Sequence, residues 1–276
     1  MRNRIALFFL VLCCGCAFFN VPQRRHYRSS LVDYLFPGRM PSPPRTAARL
    51  QLPLRVGIAF VPGELQTVDP QQEQQLLGIV RKAFVGRDWV EQIQVIPSAY
   101  LQPRGGYENL EQVARLMNVD VVALVSVDQI QYSDPTALSI LYLSIVGAYV
   151  LPGDHNDTRT MIDVAVVDVR SHSFLLRAPG TSRIGGMATP VEGDRILRSK
   201  SGEGLRLAMV ALTKNLDTEI GSFKATVASG ERSDVDIVTR SGKSIRGGGA
   251  FDASTMAMVL AIAVALFVPM RSRKRS

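Results

Sequence analysis

The sequence predicts an α/β fold, in which a single mixed-sheet domain follows a signal peptide and precedes a carboxyl-terminal hydrophobic helix. Two apolar stretches, residues 5–19 and 250–268, lie near the ends of the chain, and basic residues flank each on its outer side. Between them, strand and helix patterns alternate from residue 54 onwards, which is typical of α/β domains. With 276 residues the chain is long enough to bury a substantial core.

The central elements follow from hydrophobic periodicity and from helix-boundary signals. Asp69 followed by Pro70 is a typical helix start, because proline fits the first turn of a helix. Residues 120–127 are almost continuously apolar, as expected for a strand that is buried on both faces. We predict strands at 55–61, 90–97, 120–127, 160–169 and 173–177, and helices at 70–85, 109–117 and 204–223.

Composition excludes several classes of protein. Hydrophobic residues make up 46% and charged residues 20% of the chain, which excludes disorder over most of its length. All three cysteines fall between Cys13 and Cys16, so the rest of the chain has neither disulfides nor thiolate metal ligands. The three histidines are scattered, and the sequence contains no phosphate loop, dinucleotide fingerprint, nucleophile elbow or His-Glu-x-x-His motif. We therefore expect no metal, no cofactor and no enzymatic activity.

The net charge of +8 comes mostly from the two ends of the chain, and the middle is nearly balanced. Basic residues that border an apolar stretch stay on the cytoplasmic side of a membrane. We therefore interpret the charge as a topology signal, and we predict no nucleic-acid partner. The residues that carry this signal are Arg2 and Arg4 at the start and Arg271, Arg273, Lys274 and Arg275 at the end.

The amino-terminal stretch has the features of a secretory signal. Residues 5–12 are apolar, too short to span a bilayer, and preceded by a basic start. The small residue and cysteine that follow resemble the lipobox of bacterial lipoproteins, in which the cysteine receives a diacylglyceryl group and becomes the acylated amino terminus. Cys16, preceded by Gly15, is the best candidate, although Cys13 stands where leucine is commonest, and residues 1–15 are then the signal peptide. The alternatives are an ordinary signal sequence or a buried amino-terminal helix that contains cysteines.

Residues 247–276 combine a glycine run, an apolar run and a basic cluster. Gly247, Gly248 and Gly249 do not favour a helix, so the backbone there can be drawn into a protease cleft. Residues 250–270 are long enough to cross a bilayer as a helix. This arrangement resembles the GlyGly sorting signal of bacterial proteins processed by rhombosortase, a rhomboid-type intramembrane serine protease. The alternative is a plain tail anchor behind a glycine linker.

Both terminal signals together resemble the rhombotarget lipoproteins, to which residues 29–37 are also similar. The resemblance implies lipoprotein-processing enzymes, a rhombosortase-type protease and membrane lipid as partners. It implies a place in the bacterial cell envelope, with a transient carboxyl-terminal anchor in the inner membrane, and Ala17 favours the outer membrane or cell surface. The implied function is that of a non-enzymatic lipoprotein, lipidated at Cys16 and cleaved near residues 247–249.

The segments between the signals differ in composition. Residues 16–50, rich in arginine and proline, are predicted to form a tether with one short ordered turn, and residues 226–246, rich in glycine and serine, a flexible linker. In the α/β domain at 51–225, a helix that ends in residues 113–120 is followed by a buried strand, an insertion and an aliphatic strand with a short turn. This pattern resembles the globular domain of envelope lipoproteins such as the curli-secretion lipoprotein and the amino-terminal domain of the Tol translocation β-propeller protein. The arginines of the tether allow two interpretations, a solvated linker or contact with anionic lipid, and we favour the linker.

Two other functions stay open. Residues 138–151 are apolar but too short to cross a membrane as a helix, which fits a membrane-inserting hairpin in a homo-oligomeric envelope assembly or secretion pore. His155, in the polar run 154–157, is a candidate base for a periplasmic hydrolase, although such a run is more typical of a turn. Asp163 and Asp168 face opposite sides of a regular strand, and His172 lies in a predicted turn with no assigned role.

Overall fold

The computed structural model describes residues 23–38, 40, 46–63, 68–135, 154–188 and 193–239. Its main element is a six-stranded mixed sheet with helices on both faces, so the predicted α/β class with a mixed sheet is confirmed. Within these ranges, the apolar content and length of the helices are insufficient for a membrane span. The predicted signal peptide and carboxyl-terminal hydrophobic helix lie outside the described residues.

The elements alternate between strands and helices from residue 54 to residue 135. The strands are β1 (Gln23–Arg28), β2 (Ala48–Leu52), β3 (Leu54–Phe60), β4 (Val90–Val95), β5 (Val121–Pro135), β6 (Asp154–Asp168), β7 (Ser173–Ala188) and β8 (Val235–Thr239). The helices are α1 (Leu31–Leu35), α2 (Pro70–Phe84), α3 (Gly106–Leu116) and α4 (Gly193–Ala228).

Two β-α-β units form the first part of the sheet. β3 pairs in parallel with β4 on one side and with β5 on the other, and α2 and α3 provide the crossovers that parallel strands require. Asp69 caps α2 as the sequence predicts, because its carboxylate accepts hydrogen bonds from the backbone N–H groups of Gln71 and Gln72. α3 begins at Gly106, three residues before its predicted start.

The second part of the sheet is an antiparallel meander of β5, β6 and β7. β5 continues eight residues past its predicted end, and β6 begins six residues before its predicted start. The distal parts of these strands, residues 128–135, 154–161 and 181–188, form with β1 a four-stranded continuation that we call the extension. Its sequence is polar on both faces, so it lacks the alternating pattern from which strands are predicted.

The proximal part of the sheet has an apolar core on each face. α2 and α4 cover one face, where Leu77, Met209 and Leu212 are fully buried. α1 and α3 cover the other face, where Leu110 and Leu124 are fully buried. The domain therefore has three layers, with the sheet in the middle.

β2 and β8 form a separate parallel pair beside β7. Arg232 attaches the pair, because its guanidinium donates to the carbonyl oxygens of Phe174 (3.4 Å) and Leu175 (3.1 Å) and forms a bidentate ion pair with Asp234. β1, α1 and the first three residues of β2 lie within residues 16–50, and β8 lies within 226–246, the segments that composition assigns to a tether and a linker. Pairing between strands distant in sequence orders these segments, and composition carries no signal for such contacts.

Candidate functional site

The residues of the predicted processing signals lie outside the described part of the chain. Among the residues that the structure describes, His, Cys, Asp and Glu side chains form no group of three or more that is suited to hold a metal ion. The processing signals therefore stay predictions from the sequence. Their residues are Cys16, Gly247, Gly248, Gly249, Arg271, Arg273, Lys274 and Arg275, and the apolar residues 138–151 lie outside the described part as well.

Residues 154–157, which we interpreted as a turn, form the start of β6. His155 lies opposite Asp134 of β5 and Met187 of β7 in the strand register. Asn156 is fully buried, and Asp157 is nearly so. The turn interpretation is therefore wrong, because neighbouring strands satisfy the backbone of this polar run. A role of His155 as a base stays a prediction.

Asp163 and Asp168 both serve the fold near the β6–β7 turn. Both carboxylate oxygens of Asp163 accept from Nε of Arg177 at 2.7 Å. Asp168 is buried and accepts hydrogen bonds from the backbone N–H of Ser171 (3.0 Å) and from its hydroxyl. The two carboxylates therefore have separate partners, and Asp168 stabilises the turn.

His172 connects the β6–β7 turn to α3, a role that the sequence did not indicate. Its Nε2 lies 2.8 Å from Oε1 of Glu111, and its side chain is only 16% exposed. Its ring stacks on Tyr107 with the ring centroids 4.1 Å apart, and the Tyr107 hydroxyl donates to the His172 carbonyl at 3.3 Å. Burial raises the pKa of Tyr107 to about 12. The φ of His172 is 60°, so an uncommon turn conformation places this ring.

Asp120 lies beside an open cavity of about 480 Å³ next to this cluster. Its carboxylate accepts from Nε and Nη2 of Arg55 at 2.8 and 2.7 Å and lies 3.4 Å from Nη2 of Arg170. The hydrogen bond to Asp120 raises the pKa of Arg55. Asn118 also accepts from Arg55. These contacts join β3, the start of β5 and the β6–β7 turn, and they neutralise the Asp120 carboxylate.

A second polar surface is the outer face of the extension, which lies opposite α4. Asp157 accepts from Arg183 at 2.9 and 3.1 Å and from Arg159 at 3.0 Å. These hydrogen bonds, above all the one from Arg183, lower the pKa of Asp157 although burial opposes the shift. The guanidinium groups of Arg24 and Arg159 lie over the Tyr132 ring, with their Cζ atoms 5.6 and 5.8 Å from the ring centroid. These are cation–π contacts.

The inner face of the extension is also polar, but α4 covers it. Gln129 and Gln131 are buried, and their side-chain amides donate to the helix carbonyl oxygens of Ser201 (3.1 Å) and Leu197 (2.8 Å). Lys200 packs against β7, and burial lowers its pKa. The extension therefore has a buried polar face and an exposed one rich in arginine.

Comparison with known proteins does not assign this chain to a family. No family model and no curated protein matches the sequence. Among solved structures, the fold is similar to a homologue of the neuraminyllactose-binding hemagglutinin from Helicobacter pylori, with 12% identity and a TM-score of 0.38 over 72% of this chain and 97% of that one. It is also similar to PelC from Paraburkholderia phytofirmans, solved as a dodecamer, with 12% identity and a TM-score of 0.29 over 70% of this chain and 98% of that one.

Proposed function

We propose that the protein is a non-enzymatic cell-envelope lipoprotein, lipidated at Cys16 and cleaved near Gly247 by a rhombosortase-type protease. The observation that carries this proposal is the pair of opposed terminal signals in the sequence, a lipobox-like run and a Gly-apolar-basic tail. Several acyl chains anchor a protein stably, since each buried methylene contributes about 0.8 kcal/mol. The anchored α/β domain then presents its surfaces to other components of the envelope.

The positions of the first and last strands support this arrangement. Gln23, where β1 begins, lies seven residues after Cys16, and Thr239, where β8 ends, lies eight residues before Gly247. A connection of seven residues spans at most about 25 Å, so the sheet stays close to an anchoring membrane. The glycines follow β8, the last strand that the structure describes, so cleavage there leaves the described strands intact.

The polar clusters support a role in binding rather than in catalysis. Asp120, Asp157 and Asp168 are each engaged by arginine or serine groups of the fold. His172 is likewise engaged by Glu111 and Tyr107. Side chains held in this way position the strands and helices of the domain. The exposed surface of the domain is then the part that is available for binding.

Mass spectrometry of the mature protein from membranes tests the proposal. We expect a diacylglyceryl group and an acylated amine on Cys16, and a carboxyl terminus at or near Gly249. The Cys16→Ser variant should lose lipidation, whereas the matched Cys14→Ser variant should keep it. An unmodified Cys16 together with an intact Arg271–containing tail would refute the proposal.

The glycine run has a separate test. Replacement of Gly247, Gly248 and Gly249 by leucine should leave the basic tail on the protein, because leucine favours a helix and glycine does not, and a helical backbone does not extend into a protease cleft. Lipidation at Cys16 should continue in this variant. Normal removal of the tail would show that the glycines are not the recognition element.

A subunit of an envelope assembly is a second candidate, and the strand register favours it. Pro135 pairs with Asp154, so the apolar residues 138–151 connect the ends of two paired strands. A connection of that kind is suited to contact a membrane or a neighbouring copy in a homo-oligomer. The mass of the detergent-solubilised protein tests this candidate, and a strictly monomeric protein would exclude it.

A further inference from the structure

Side chains of four strands form rows across the outer face of the extension. Arg24 and Arg28 of β1 begin two of these rows. The row between them contains, in strand order, His26, Ile130, Arg159 and Arg183. Side chains alternate between the two faces of a strand, so these residues share one face. In the part of the chain that the structure describes, four arginines of this face are exposed to solvent: Arg24, Arg28, Arg159 and Arg183.

The arrangement of Arg159 and Arg183 is unfavourable for the isolated sheet. The two residues lie directly opposite each other on β6 and β7, and like charges in that position destabilise a strand pair. Asp157 accepts hydrogen bonds from both and offsets part of the repulsion. Two neighbouring guanidinium groups that share one carboxylate leave further N–H donors for a second anion.

The guanidinium groups form the outermost layer of the face. The Asp157 side chain is 10% exposed, whereas its partners Arg159 and Arg183 are 56% and 67% exposed. Asp163 and Arg177 repeat this arrangement, with 19% and 54% exposed. The Asp157 and Asp163 carboxylates therefore lie at the base of the face. The Asp128 carboxylate, opposite Arg28 in the strand register, is 44% exposed and lies 2.8 Å from Nε2 of His26. Each guanidinium has five N–H donors, so donors that point away from the carboxylates are free for phosphate oxygens.

We propose that this face docks onto the anionic phospholipid headgroups of the membrane that holds the anchor. This inference rests on the proposed function, because lipidation at Cys16 places the domain at a bilayer. Gln23 follows Cys16 by seven residues, so a connection of at most about 25 Å keeps β1 near the headgroups. Arginine binds lipid phosphate through paired hydrogen bonds. Met161 and Met187 are exposed on the same face and add apolar contact at the headgroup boundary.

The strand structure of β1 changes the interpretation of its arginines. Composition favours a solvated linker for this segment, in which aligning several arginines on one surface costs conformational entropy. In the structure, Arg24 and Arg28 are already aligned by the pairing of β1 with β5. Binding therefore avoids that cost, and a preorganised surface binds more tightly than a flexible one of equal charge.

A fluorescent label at residue 181 tests the inference. Thr181 is exposed on the outer face, and Thr218 is exposed on α4 and serves as the control position. The full chain, carrying Thr181→Cys or Thr218→Cys, is reconstituted by its anchor into vesicles that contain a headgroup spin label as quencher. The vesicles contain phosphatidylcholine alone or together with phosphatidylglycerol. We expect quenching at 181 in the anionic vesicles alone, reversed by high salt, and none at 218.

Two double variants distinguish binding by the outer face of the extension from a general effect of the protein's positive charge. Arg24→Gln with Arg28→Gln removes two positive charges from the face, and Arg198→Gln with Arg206→Gln removes two from exposed positions of α4. At about 1 kcal/mol per arginine, the first pair should reduce the docking equilibrium about 30-fold. The second pair should leave the quenching unchanged.

Three outcomes would overturn the inference. Equal quenching at 181 in neutral and anionic vesicles would exclude headgroup docking. Shielding of residue 181 from aqueous iodide in detergent would show that another segment of the chain, or a second copy, covers the face. An unchanged docking equilibrium after loss of Arg24 and Arg28 would exclude the proposed contacts. Failure of the proposed function is distinct, because mass spectrometry then finds Cys16 unmodified.

Discussion

Gly180 lies where β7 passes beneath α4 with no room for a side chain. A methyl group on Gly180 would come within 2.1 Å of the carbonyl oxygen of Ala208 and 2.5 Å of the backbone nitrogen of Leu212. Both atoms belong to the helix backbone, so rotation of a side chain cannot relieve the contact. Gly180→Ala therefore has to move α4 away from the sheet by roughly 1 Å.

The energetic cost follows from what α4 buries at this point. Met209 and Leu212 are fully buried between the helix and the sheet, and a shift of the helix loosens both. Overpacking of a core costs about 1–3 kcal/mol, and rigid neighbours place Gly180→Ala at the upper end, near about 3 kcal/mol. That is a large share of the roughly 5–15 kcal/mol by which a domain is stable.

Urea unfolding of the full chain in mild detergent measures this cost. Trp89 is the single tryptophan of the chain, and Nζ of Lys224 on α4 lies 4.7 Å from its ring centroid, so its fluorescence reports the packing of α4. Gly221→Ala is the matched control, because nothing lies within 4 Å of its added methyl group and alanine favours a helix by about 1 kcal/mol. A Gly180→Ala variant as stable as the parent protein would refute the close approach of α4 to β7.

Three further changes address charged and buried groups. Burial raises the pKa of Tyr107 to about 12, so the contribution of its neutral hydroxyl to stability is present below pH 10 and is lost as the pH rises towards 12. Urea unfolding across that pH range should show this loss in the parent protein, and the part due to Tyr107 should be absent in Tyr107→Phe. Hydrogen bonds, above all the one from Arg183, lower the pKa of Asp157. Asp157→Asn should therefore lower the free energy of unfolding by about 1 kcal/mol at neutral pH and by less in acid, where the carboxylate is protonated. The control Glu219→Gln, on the exposed side of α4, should have no effect. Arg232→Lys removes the planar fork that attaches β8 to β7, so hydrogen exchange should accelerate in β8 and not in β6, and equal protection in both proteins would contradict this role.

The proximal part of the fold could be predicted because its burial is apolar. The periodic leucines and valines of α2 and the cap at Asp69 predicted that helix to within a residue. β3 and β4 were predicted for the same reason. α4 was predicted only at 204–223, where its apolar residues contact the core, whereas the helix spans Gly193–Ala228. The first turns of α4 pack against polar side chains of the sheet, so their own sequence has no apolar stripe from which a helix could be predicted.

The polar clusters could not be predicted, because their members are distant in sequence. His172 and Glu111 are 61 residues apart, and a turn with a positive φ brings them together. Arg55 of β3 and Asp120, which immediately precedes β5, are 65 residues apart, and the parallel pairing of β3 with β5 brings them together. Single residues of these types occur on most protein surfaces, so no local pattern distinguishes them.

The amino-acid sequence by itself predicted the order of the α/β elements from β3 to α4, and it predicted the two terminal signals on which the proposed function depends. Only the tertiary structure decided that residues 23–28 form a strand, and that the extension has one face under α4 and one lined with arginine. The reason is physical. Apolar burial leaves a periodic pattern in the sequence, whereas a polar face buried against helix carbonyl groups has the composition of a loop.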